Sequence, residues 1–128
     1  MIVYAPVSVG ELVDKITILQ IKLAHARTPE QAQHVATELA ELNQVLIRLD
    51  LLVDISKETA QLYAVNQELW DIEDAKRQHE KRQVFDSVFV ELARSVYIKN
   101  DIRAQIKYSI NSATHSHIVE EKIHKDYS

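Results

Sequence analysis

Residues 8–26 read Ser8-Val9-Gly10-Glu11-Leu12-Val13-Asp14-Lys15-Ile16-Thr17-Ile18-Leu19-Gln20-Ile21-Lys22-Leu23-Ala24-His25-Ala26. Apolar side chains recur at Val9, Leu12, Ile16, Leu19, Leu23 and Ala26, in alternating steps of three and four. That spacing keeps them on one face of an α-helix. Ser8 and Glu11 form a capping box, in which the serine hydroxyl accepts the amide three residues on and the glutamate reaches back to the serine amide. Thr28-Pro29 ends this helix and opens the next, with threonine as N-cap, proline at the first helical position and Gln31 completing a second box.

The same period continues outward. The second helix carries Ala32, Val35, Leu39, Leu42, Leu46, Leu49 and Val53, the most regular stripe in the chain. A short connection at Asp54-Ile55-Ser56 follows, with Ser56 able to cap the third helix. There Leu62, Val65, Leu69 and Ile72 form the seam, but Lys76, His79 and Gln83 succeed them, so the third helix runs out of core near Ala75 and projects. A break at Val84 to Asp86 leads to the fourth helix, with Phe85, Phe89, Leu92, Val96, Ile106 and Ile110 on its seam. This helix frays between Ser112 and Ser116. His117 to Ser128, polar with Ile118, Val119, Ile123 and Tyr127 interspersed, reads as a short extra helix or a docked tail.

The 128-residue chain contains one glycine, Gly10, and two prolines, Pro6 and Pro29. So few breakers leave room for long helices and little for tight β-turns. Residues 1–128 are expected to form one all-α domain: an antiparallel helical bundle of about four long heptad-patterned helices. The seams of the first two helices suit coiled-coil packing, which leaves a homodimer open.

A net charge of −4 argues against general binding to nucleic acid or an anionic membrane surface. Absence of cysteine excludes disulfides and thiolate chemistry. Met1 to Pro6 is apolar but short, without the basic flank of a signal peptide. No uncharged run approaches the roughly 20 residues of a membrane span. The expected location is the cytoplasm.

The helical pattern breaks in the fourth helix. At about 100° per residue, Arg103 falls in the middle of the apolar face, with Asn100, Lys107 and Asn111 on its flank. An arginine on a core face requires a partner, because an unpaired buried charge costs on the order of several kcal/mol. Folding the chain at its turns as an up-down-up-down bundle sets Arg103 level with Val65 and Asn66, with Asn43, and with Glu11, Asp14 and Lys15. The candidate layer is therefore Glu11, Asp14, Lys15, Asn66, Arg103 and Lys107, with Trp70 at its edge. Two cations beside primary amides suit a carboxylate or phosphate, and the acids could serve as counter-ions or in proton transfer. Chorismate-mutase-like helical enzymes hold a small dianion in a comparable layer, and the first helix here resembles theirs in patterning. The competing reading is an ion-pair network that sets helix register.

Other candidates are weaker. Glu121 and His124 have the spacing of half a di-iron motif, but that chemistry needs two such motifs and further glutamates; no metal or cofactor is expected. Trp70 lies in the acidic run Glu68 to Asp74 and reads as core rim or as a stacking platform. Glu73 falls level with Lys22 and Lys99, as a salt bridge or a pocket wall. Lys76, Arg77, Lys81 and Arg82 read as a solvated face. A glycine-rich phosphate loop cannot be built from one glycine.

Four blocks together resemble a group of short bacterial proteins of unknown function. They are Pro6 to Leu19, Glu68 to Asp74, Glu91 to Tyr97 with Asn100-Asp101, and Glu120-Glu121-Lys122. The resemblance implies an all-helical fold. It also implies a neighbourhood of surface-polysaccharide or sugar-transfer genes for some members, and it draws attention to the tail block as a segment that folds back on the bundle. Two functions compete: a non-catalytic interaction or accessory protein, and a binder of, or enzyme on, a small anionic metabolite.

Overall fold

The computed structural model describes residues 1–126. Four helices account for the regular structure of these residues: α1 (Val9–Ala24), α2 (Pro29–Leu49), α3 (Ser56–Arg82) and α4 (Ser87–Ala113). The first two begin where their caps predict. Ser8 Oγ accepts the Glu11 amide at 3.0 Å and Thr28 Oγ1 accepts the Gln31 amide at 3.1 Å. The α3 cap differs from the expectation. Ile55 is its N-cap and makes no side-chain bond, while Ser56 is already helical and its amide goes to Asp54 Oδ1 at 2.9 Å. Asp86 caps α4 by accepting the Phe89 amide at 3.1 Å.

The chain is an all-α bundle arranged around α1. This helix touches each of the other three, α3 and α4 pair with one another, and α2 contacts α1 alone. The amphipathic pattern of α1 anticipates this only in part. Leu12, Val13, Ile16, Leu19 and Ile21 are all buried, covering more of its circumference than one stripe, because it is packed on both sides. The inner core joins Val13 to Leu62, Val65 and Ile110, with Val9, Leu46, Ile55 and Ile106 against them. In contrast, the regular stripe of α2 leaves no residue of that helix buried. A stripe records which face is apolar, and here, among the helices of the described residues, one neighbour comes to cover it.

At 1.5 Å per residue, the 27-residue helices α3 and α4 are about 40 Å long and the 16-residue α1 about 24 Å. The α3–α4 hairpin therefore extends past the end of α1, as the polar seam at Lys76, His79 and Gln83 predicts. Its tip turns through Gln83, at φ 55°, and is held by Phe85 packed edge-on to Phe89, centroids 5.1 Å apart.

From Thr114 to Asp126 the chain is a tail without further helix, and it folds back along α4. Tyr127, one of the interspersed apolar positions, lies outside the described residues. No helix among the described residues is long and apolar enough to cross a membrane.

Candidate functional site

The inward strip of α4 meets the N-terminal half of α1. Asp14 is 0% exposed, and Arg103 crosses from α4 to bind it through two bonds, Nε to Oδ1 at 2.9 Å and Nη2 to Oδ2 at 2.5 Å. This planar, two-point pairing is the geometry in which arginine holds a carboxylate best. The bonds to Asp14 raise the Arg103 pKa against the opposing effect of burial, with the charges of Asp14 and Glu11 adding to them. Asn66, buried on α3, donates to Asp14 Oδ1 and to Thr17 Oγ1, both at 2.9 Å, and the Thr17 hydroxyl donates to the Asp14 carbonyl at 2.8 Å. Asn100 accepts from Arg103 Nη1 at 3.3 Å. Lys107 Nζ lies 2.5 Å from Glu11 Oε2 and 3.9 Å from Asp14 Oδ2.

The start of α1 is completed by α4 and the tail. The first amides of a helix have no partner within it. Here Val9 N–H donates to Ser116 Oγ at 3.2 Å, Gly10 N–H to Asn111 Oδ1 at 2.7 Å, and Glu11 N–H to Ser8 Oγ. Asn111 in turn donates to Glu120 Oε2 at 3.2 Å, and Ser8 donates its hydroxyl proton to Glu120 Oε1. The tail carboxylate thus sits at the positive end of the α1 dipole. Burial pushes the Glu120 carboxyl up; the Ser8 hydroxyl, its own backbone amide, the nearby Lys107 charge and the Asn111 amide outweigh that and hold it below its ordinary 4.5. Two residues on, Lys122 Nζ binds Asp101 Oδ1 at 2.5 Å.

Of the candidate residues, the structure joins Glu11, Asp14, Asn66, Asn100, Arg103, Lys107 and Asn111 into one network. Three stand apart. Lys15 is exposed and lines a cleft beside the Met1–Val7 leader, with Glu38 and Glu41. Trp70, one turn beyond Asn66, stacks on His25 with centroids 4.6 Å apart, and its Nε1 is buried without a hydrogen-bond partner among the described residues. Glu73 pairs with Lys76 at 3.5 Å, and Lys99 pairs with Glu68 at 2.6 Å, so among the described residues the ion pair of Glu73 is with its own helix rather than with Lys22 or Lys99. Glu11 also departs from its capping role: its carboxylate turns to Lys107, an ion being the stronger partner.

Sequence reasoning missed Ser8 as a partner of Glu120, Thr17 as a partner of Asn66, and Gly10. A Cβ at Gly10 would lie 2.6 Å from the Lys107 carbonyl oxygen and 2.9 Å from Asn111 Oδ1. The lone glycine lets α4 approach α1 closely enough for the bonds just described. Its solitary place in a helix start is the one signal that could have found it.

The chain matches the Family of unknown function (DUF6165) over residues 3–127. It belongs to that family. No curated protein and no solved structure matches it. The DUF6165 match confirms the resemblance drawn from the four sequence blocks. It spans most of the leader, the four helices and the tail through Glu120 and Lys122, so the network lies within the matched residues.

In this DUF6165 protein the layer has a definite charge balance. Arg103 and Lys107 face Glu11 and Asp14, Glu120 adds an acid beside Lys107, and Lys122 is matched by Asp101. Beside the layer opens a cleft of about 310 Å³ lined by Asn100, Arg103, Ala104, Lys107 and Lys122.

Proposed function

We propose that this DUF6165 protein is a non-catalytic interaction or accessory protein of the cytoplasm, and that its polar layer is a structural clasp. One observation carries the reading: each cation of the layer is bonded to a carboxylate of the chain itself. A site built for an anion holds cations together with their charge uncompensated. Here acids match them, and an arriving anion would have to displace Asp14, Glu11 or Glu120. The surface supports the same conclusion, with large apolar side chains exposed on α2, α4 and the leader. The association of some family members with surface-polysaccharide genes, implied by the resemblance, makes that machinery the place to seek a partner. The net charge of −4 disfavours nucleic acid as that partner.

The cleft at Asn100, Arg103, Lys107 and Lys122 favours a second reading, in which a small phosphorylated or carboxylated metabolite binds there. A thermal-shift screen separates the two. Inorganic phosphate, sugar phosphates, nucleotide-sugars and dicarboxylates are expected to leave the unfolding temperature unchanged. A concentration-dependent rise with one of them, abolished by Lys107→Met, would overturn the clasp reading in favour of the ligand site.

A further inference from the structure

Glu120 is the one acid of the polar layer that no helix supplies. Its carboxylate meets a donor on each oxygen: the Ser8 hydroxyl on Oε1, and the Asn111 side-chain amide on Oε2 at 3.2 Å. Both donors are buried, Ser8 at 1% exposure and Asn111 at 3%. Both are fixed without the tail. Asn111 Oδ1 accepts the Gly10 amide, which turns its Nδ2 toward the carboxylate, and Ser8 Oγ accepts the Glu11 amide. Lys107 lies on the wall of the cleft that Glu120 also lines, and its charge acts on that carboxyl. Two buried donors held by the start of α1, with a cation beside them, suit a carboxylate whichever chain carries it.

The tail that brings Glu120 is held by little else. From His117 to Lys125, no backbone–backbone hydrogen bond ties it to the bundle among the described residues. Ile118, Val119 and Ile123 are exposed, so apolar burial does not anchor it. A cleft of about 200 Å³ opens beneath it, between Lys107, Tyr108 and Asn111 of α4 and Glu120 to Lys122 of the tail. The turn that starts it passes through His115 at φ 54°, a left-handed conformation that is unfavourable for a residue with a Cβ. Segments with few buried apolar contacts are the ones that open locally. Even so, a tethered carboxylate competes at an effective concentration of about millimolar or more. A free anion therefore does not displace it, whereas a segment that brings contacts of its own does.

We propose that Ser8, Asn111 and Lys107 form a carboxylate cradle, which the chain's own Glu120 fills at rest and which an acidic residue on a non-helical segment of a partner protein takes when the tail lifts. This cradle rests on the interaction reading above and gives it a site and a partner chemistry. The tail itself displays the pattern that fits: an acid for the cradle and, two residues on, a base for Asp101.

Thermal unfolding of the whole chain carrying Glu120→Ala tests it, with sodium acetate compared against sodium chloride at equal ionic strength. Acetate is expected to raise the unfolding temperature of the variant by roughly 5 °C at ten times its dissociation constant, and to do no more than chloride for the wild type. A fluorescent synthetic peptide of residues 116–126 should bind the variant roughly tenfold or more tightly than it binds the wild type, whose own tail competes. The same peptide with Glu120→Gln should bind roughly tenfold or more weakly, the loss of a charge-assisted pair of bonds. If Glu120→Ala does not fold, Lys122→Ala decides. It loosens the tail and leaves the cradle intact, so the peptide should bind it more tightly than the wild type. Acetate acting no differently from chloride on a folded Glu120→Ala, or a peptide that binds neither variant or binds regardless of its glutamate, would each overturn the cradle. A small anion that stabilises the wild type and depends on Lys107 would instead overturn the clasp reading, so the two failures are told apart.

Discussion

Arg103 and Asp14, 89 residues apart in the chain, are joined by two nearly parallel hydrogen bonds across the α1–α4 contact. The two ends of the pair are unequal. The Asp14 side chain is 1% exposed, whereas the Arg103 side chain keeps 29% of its surface in solvent. The carboxylate has surrendered its water and depends on its protein partners; the guanidinium has not. Asn66 provides Asp14 with a third donor, so the acid is held from both α3 and α4. This asymmetry determines which substitution hurts.

Arg103→Met should cost about 3 kcal/mol, the lower end for breaking a buried ion pair, because it leaves the buried Asp14 with Lys107, 3.9 Å away, as its remaining counter-ion. Replacing Asp14 by Leu in the same chain should recover much of that loss. Urea unfolding measures both, and a single variant within ~1 kcal/mol of wild type would show that Asp14 does not need the charge.

Gly10→Ala should destabilise the protein, although alanine is the better helix former by about 1 kcal/mol. The added methyl meets the Lys107 carbonyl oxygen, a backbone atom that can move only with α4. The expected cost is roughly 1–3 kcal/mol, typical of an overpacked contact. A gain in the urea midpoint would mean that α1 and α4 do not approach as closely as drawn.

Glu120 should link tail docking to pH. Its carboxyl is held below its ordinary value, so the folded chain binds that proton less tightly than the unfolded chain does. The resulting stabilisation is fully present above the ordinary glutamate range and is lost as pH falls through the lower folded value. Wild type should therefore be more stable than Glu120→Gln near neutrality, and the gap should close on acidification. A gap that persists undiminished at about pH 3 would place the effect of the substitution elsewhere.

Asp86→Ala should loosen the projecting arm and spare the body. Removing an aspartate N-cap costs about 1 kcal/mol, a roughly fivefold faster opening. Hydrogen exchange of the amides around the α3–α4 turn is expected to accelerate by that factor, while amides beside Asp14 and Asn66 stay protected. Uniform acceleration through the chain would show that the arm and the body open as one unit.

Four helices, their order and the N-caps of the first two are legible in the sequence, because the scarcity of glycine and proline and the three-four spacing of apolar residues are local signals of local structure. Arg103 was legible too: a cation on an apolar face demands a partner, and short turns bring few acids to its level. Tertiary structure alone decided the rest. Periodicity shows that α2 has an apolar face but not how many helices cover it, and among the helices of the described residues α1 alone packs on it. Glu11 looks like half of a capping box until Lys107 arrives from α4 and outbids the Ser8 amide. Gly10 looks like a weak place in a helix until a second backbone lies against it. Ser8 and Glu120 are 112 residues apart, and no spacing rule connects them. They meet because α4 carries the tail back to the start of α1, where unpaired amides and a helix dipole favour a carboxylate. Local periodicity determines which elements form, and packing between distant segments determines which polar groups they bring together.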